Sequence, residues 1–145
     1  MCYVYTIGYE GLTAEKFIAI LAQNSIEQVI DVREIPISRK PGFSKGKLSC
    51  ILESVGITYV HMKQLGSPKV IRDHLHETKD YETFFSEYRH YIGTHFSYIQ
   101  DAWELVSDKR TCLMCFEKKP NECHRSVIAD YISITMPNID GVINL

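Results

Sequence analysis

No run in these 145 residues is long and apolar enough to cross a membrane, so no membrane partner is expected. No basic segment followed by an apolar one opens the chain. Tyr3-Val4-Tyr5-Thr6-Ile7 starts a strand-like run at once, and no secretory leader is expected. Charge of one sign is also lacking: 16 Lys and Arg stand against 18 Asp and Glu, a net −2. Bulk electrostatics therefore announces no nucleic-acid binder, although a local basic patch would suffice for one. The five cysteines are an odd number without a regular framework. That argues against a disulfide scaffold and for reduced thiols in an intracellular, cytoplasmic protein. Repeats, low-complexity tracts and linkers are absent as well. One domain spanning residues 1–145 is the expectation.

What is present is a globular composition, 45% apolar and 23% charged, with punctuation that alternates between two periods. Tyr3 to Ile7, Gln28 to Val32, Ile57 to Val60 and Thr111 to Phe116 are short runs rich in β-branched and aromatic residues, and each reads as a strand. Val142 to Leu145 adds an edge strand. Between them lie segments of helical spacing. Thr13 can cap one containing Phe17, Ile18, Ile20 and Leu21, and Ser44 can cap another that Gly56 would stop. The polar and aromatic segment Val70 to Ser107 reads as one or two short helices and then a long one. Pro120 suits the first turn of a last helix, which places Cys123, His124 and Arg125 in or near that turn. Strands alternating with helices imply a three-layer α/β domain with a mainly parallel sheet of four to five strands flanked by helices.

In a parallel sheet the strands' carboxyl ends share one edge, where ligands bind. The runs end at Gly8-Tyr9-Glu10, Asp31-Val32-Arg33, His61 and Cys115-Phe116-Glu117, so these polar groups are expected around one crevice. The stretch Cys115 to Arg125 concentrates two cysteines, a glutamate, a histidine and an arginine in a strand-to-helix turn. Arg33, Arg39, Lys40, Lys45 and Lys47, against Glu34 alone, make the loop after the second strand locally basic. Arginine offers planar, bidentate donors to an anion.

Asp31, Cys115, Glu117, Cys123 and His124 are the candidate catalytic residues. Tyr9, Glu10, Arg33, Arg39, Ser44, His61 and Arg125 are the candidate substrate contacts. A cysteine near a helix N-terminus beside His or Arg is a candidate nucleophile. A carboxylate at a strand end is a candidate nucleophile or general base. Cys115, Cys123 and His124, with Glu117 or His61, have the ligand chemistry of a metal site, but their spacing matches no standard zinc pattern. No metal or cofactor is expected on that ground. The placement of Cys115 is similar to that of catalytic cysteines in sulfurtransferases and protein phosphatases, although Lys118-Lys119-Pro120 replaces the small residues of those loops.

Five motifs stand in a characteristic order. They are Thr6-Ile7-Gly8-Tyr9-Glu10-Gly11; Asp31-Val32-Arg33 with Pro36, Ser38-Arg39 and Pro41-Gly42-Phe43-Ser44; Tyr59-Val60-His61; Leu65-Gly66; and Cys115-Phe116-Glu117 with Cys123-His124-Arg125. In these the chain resembles the domain of unknown function 488 family of small intracellular bacterial and archaeal proteins. The resemblance implies that the turns form one site and supplies no activity. The residues suggest a small enzyme acting on an anionic, nucleotide or nucleic-acid-like substrate. The alternatives are a non-catalytic nucleotide or nucleic-acid binding module, and thiol-based sulfur or phosphoryl transfer.

Overall fold

The computed structural model describes residues 2–145. Five strands form a single sheet: β1 (Tyr3–Gly8), β2 (Gln28–Asp31), β3 (Thr58–His61), β4 (Thr111–Cys115) and β5 (Gly141–Asn144). The order across the sheet is β3-β2-β4-β1-β5, and every neighbouring pair is parallel. β4 lies at the centre, and all five of its residues are buried, as a strand covered on both faces requires.

The alternation of side chains along the strands separates two cores. Val4, Ile30, Leu113 and Cys115 point to one face, and Tyr5, Ile7, Val29, Cys112 and Met114 to the other. The second face is covered by α1 (Ala14–Gln23) through Phe17 and Leu21, and by α2 (Lys45–Ser54) through Leu48 and Leu52. The first is covered by α4 (Tyr81–Thr94), α5 (Phe96–Asp108) and α6 (Arg125–Thr135). Phe84, Tyr88 and Ile92 of α4 recur every four residues, so they form one buried stripe. The remaining helix, α3 (Lys69–Thr78), buries only Ile71. The three-layer α/β architecture follows from this arrangement.

Thr13 caps α1 as expected, its hydroxyl accepting from the Lys16 amide at 3.2 Å. Two boundaries differ from the sequence reading. The segment after Val70 holds three helices of 10, 14 and 13 residues. Lys79 breaks it in the left-handed conformation (φ 57°), and Asp80 then caps α4 through the Thr83 amide at 3.1 Å. His95 separates α4 from α5. The last helix also starts later than Pro120. Pro120–Glu122 is a single 3-10 turn, Cys123 is extended, and α6 begins at Arg125 with His124 at its N-cap. Proline fits the first position of either kind of turn, so its presence could not separate them.

Pairing continues past the strand ends. The Tyr9 amide donates to the Cys115 carbonyl at 3.1 Å, Glu10 to Phe116 at 2.8 Å, and Val32 to Met114 at 3.2 Å. These bonds hold the residues after β1, β2 and β4 side by side. Gly8 is required there: a Cβ would stand 1.8 Å from the Glu117 carbonyl oxygen.

Candidate functional site

Above the carboxyl ends of β1, β2 and β4 opens a cavity of about 500 Å³. Cys115, Glu117, Cys123 and His124 line it from the side of β4 and α6, and Tyr9 and Arg33 from the side of β1 and β2. The far wall is α3, with Arg72 and His76, and Lys79 just past its end. Arg39 comes from the basic loop. Among the described residues, the side chains of Arg39 and Lys79 make no hydrogen bond or ion pair. The rim is apolar. Of the seven large apolar side chains exposed among the described residues, Ile35, Ile37, Tyr81 and Phe116 line this one cavity. An exposed apolar cluster of this kind marks a contact surface.

The polar groups of the floor form a connected set. The Cys115 thiol donates to Glu117 Oε2 at 3.6 Å. Cys123 Sγ stands 3.9 Å from His124 Nδ1. His124 Nε2 lies 2.7 Å from the Val32 carbonyl oxygen and donates to it, because a carbonyl can only accept. Its Nδ1 is thereby directed at the sulfurs. Cys115 Sγ, Cys123 Sγ and the His124 ring nitrogen all lie within 4.8 Å of one another.

The charges follow from this packing. Burial, followed by the Cys123 charge, pushes the Glu117 carboxyl up to about 7. Burial also opposes a charge on Cys123. The hydrogen bond from Cys115 and the adjacent His124 and Arg125 outweigh it, and the Cys123 thiol falls well below the usual range. Cys115 moves the other way: its hydrogen bond to Cys123 and its burial hold it as a thiol. For His124, burial opposes protonation, but its contact with Cys123 raises it overall. Of the two cysteines, Cys123 is the one whose surroundings favour the thiolate form.

Several expected substrate contacts hold other protein groups instead. Arg33 is almost buried, and its Nε and Nη2 donate to Asp31 at 2.9 and 2.7 Å while Nη1 donates to the Tyr9 hydroxyl at 3.2 Å. Burial opposes its charge, but the Asp31 carboxylate outweighs that, and the guanidinium is held firmly protonated. Asp31 is fully buried, also accepts from Tyr59 at 2.6 Å, and does not face the cavity. His61 Nε2 donates to the Arg33 carbonyl at 2.7 Å, outside the cavity. Glu10 accepts from the Lys118 amide at 2.9 Å. Ser44 occupies the N-cap position of α2 but makes no cap bond; its hydroxyl exchanges hydrogen bonds with Ser38 across the loop.

Arg125 is the largest correction. It is wholly buried and away from the cavity, its Nη1 donating to the Glu117 carbonyl and its Nη2 to that of Lys118 at 3.1 Å. Its Nε has no partner among the described residues. It does not contact a ligand in the cavity; it clamps the loop that carries Glu117. Asp31, Glu10, Ser44, His61 and Arg125 are thus scaffold. The cavity itself retains Tyr9, Arg39, Cys115, Glu117, Cys123 and His124, and also Arg33, whose guanidinium is tied to Asp31 and Tyr9.

The sequence reading missed Arg72, His76 and Lys79. Arg72 and His76 sit at i and i+4 on one face of α3, a helical spacing that would have grouped them, and Lys79 is the residue that ends the helix. No signal in the chain tied that face to the strand ends.

A family model, Domain of unknown function DUF488, matches residues 13–132. No curated protein and no solved structure matches the chain. The match covers most of the sequence, and the chain belongs to this family.

Proposed function

We propose that this DUF488 member is a small enzyme acting on an anionic substrate of nucleotide-like character, bound in the cavity above β1, β2 and β4. The observation that carries this is the meeting of unpartnered cations with a reactive floor. Arg39 and Lys79 face the same 500 Å³ as Cys115, Glu117, Cys123 and His124. The volume suits a ligand larger than a single phosphate group. The apolar rim of Ile35, Ile37 and Phe116 suits a flat, weakly polar moiety, and the cations suit a phosphate or similar anion. Glu117, on a loop held rigid by Arg125, is the group that gives or accepts a proton.

A thermal-shift panel of inorganic phosphate, nucleosides, nucleotides and short oligonucleotides tests the binding half. A ligand that binds only the folded state raises the Tm by mass action. Nucleotides are expected to raise it more than phosphate or nucleosides alone, and Arg39→Ala to reduce the shift. Absence of any shift removes the proposal. The catalytic half is tested by following the bound compound for turnover. Binding without any product leaves a binding module in place of an enzyme.

A further inference from the structure

We propose that Cys115, Cys123 and His124 bind a zinc-class divalent metal ion, with one coordination position open to the cavity. This deepens the proposed function and rests on that reading only for the ion's use, not for its binding. Three observations support it.

First, the separations fit. Tetrahedral zinc has bonds of about 2.3 Å to sulfur and 2.0–2.1 Å to nitrogen, so its ligand atoms lie roughly 3.5–3.8 Å apart. The three candidate atoms lie within 4.8 Å of one another, and Cys123 Sγ and His124 Nδ1 are 3.9 Å apart. Small side-chain rotations close the remainder. The seven-residue gap between the cysteines, which departs from the usual spacing, is taken up by the loop and the 3-10 turn that bring Cys123 back beside the end of β4.

Second, the histidine is oriented as a ligand. Metal-bound imidazoles give their other ring N–H to a carbonyl or carboxylate, which fixes the tautomer. His124 Nε2 donates to the Val32 carbonyl at 2.7 Å, so Nδ1 is the ring nitrogen turned toward Cys123, where a metal ion would take the place of a proton.

Third, the surroundings compensate the charge that such a centre carries. Arg125 is fully buried and, among the described residues, has no carboxylate partner and an unpartnered Nε. A buried cation of this kind calls for an anion close by. Thiolate ligands supply it.

Two sulfurs and one imidazole are the ligands of a site that keeps a fourth position, as catalytic zinc centres do. Glu117 adjoins that position: its Oε2 is 3.6 Å from Cys115 Sγ. The carboxylate is placed to hold a proton of a water bound there.

The test uses the full chain, freed of metal with a chelator and titrated with Co²⁺ and Zn²⁺ alone. One Co²⁺ per chain is expected, with a thiolate-to-metal band and the visible bands of tetrahedral cobalt. Cys123→Ser and Cys115→Ser are expected to weaken binding by more than the ~10–100-fold that loss of an outer partner costs. Cys50→Ser, an exposed cysteine elsewhere, is expected to change nothing. Should the serine variants fail to fold, the wild-type protein still decides. Bound Zn²⁺ must protect Cys115 and Cys123 from alkylation, as read by mass spectrometry. No uptake of either ion, or alkylation of both cysteines unaffected by Zn²⁺, overturns the site. Nucleotide binding by the metal-free protein is measured in parallel. Metal uptake without nucleotide binding retains the metal site and removes the anionic substrate; the reverse removes the metal site alone.

Discussion

Glu117 and the cations around it define the chemistry at the scale of single residues. In the metal-free protein the folded-state Glu117 carboxyl sits at about 7, above its ordinary value of 4.5. Between those two values the folded state holds a proton that the unfolded state has lost. Its contribution to stability therefore falls as pH rises through that window, by at most about 1.4 kcal/mol per pH unit. Glu117→Gln is expected to remove this slope, measured as urea midpoints at a series of pH values. An unchanged slope would place the titration elsewhere. Arg39 and Lys79 have free side chains, so their loss costs the fold little. Each alanine variant is expected to weaken nucleotide binding by about 1.5 kcal/mol, roughly tenfold, with the Tm of the free protein unchanged. Burial decides which of these roles sequence could reveal. Arg39 and Arg125 look alike in the chain, yet one is exposed at the cavity and the other has no exposure at all.

Elements carry the site by close approach. The loop after β4 rests directly on Gly8 and is pinned from the other side by Arg125. Gly66 serves a similar purpose, since a Cβ there would meet the Glu34 amide nitrogen at 2.3 Å. Gly8→Ala must displace backbone, and is expected to destabilise the protein by about 1–3 kcal/mol or more while moving Glu117 off the floor. Denaturant melts and cobalt binding together report both effects. The sheet and its two-sided covering were legible from sequence. The β-branched and aromatic runs marked the strands, and β4 was evident as a run that is apolar after Thr111. The helix boundaries were less so, because the breaks at Lys79 and His95 use no glycine or proline. The convergence of strand ends was also legible. Partnerships within it were not, because Asp31 with Arg33 and His61 with the Arg33 carbonyl depend on side-chain directions that spacing does not encode.

For the molecule as a whole, stability is distributed unevenly. β1, β2 and β4 are enclosed between two apolar layers, whereas α3 buries a single side chain while forming one wall of the cavity. Elements with little buried surface open at low free-energy cost. Amides of α3 are expected to exchange with solvent well before those of β4, and to slow when a ligand bridges Arg39 and Lys79. Equal exchange in both elements would contradict the uneven distribution. Leu113→Ala, at the centre of the sheet and fully buried, is expected to cost about 2–5 kcal/mol in a chemical denaturation experiment.

The position of β1 bears on how the protein is made. Tyr5 pairs with Cys112, and Tyr3 with Gly141, so both neighbours of β1 are translated more than a hundred residues after it. A nascent chain emerges N-terminus first. Its first strand, Tyr3 to Gly8, must therefore wait unpaired outside the ribosome until Thr111–Cys115 has been synthesised. That later segment also brings Cys115, with Glu117 and Cys123 close behind, so closure of the sheet around β1 and assembly of the cavity floor await the same stretch of chain.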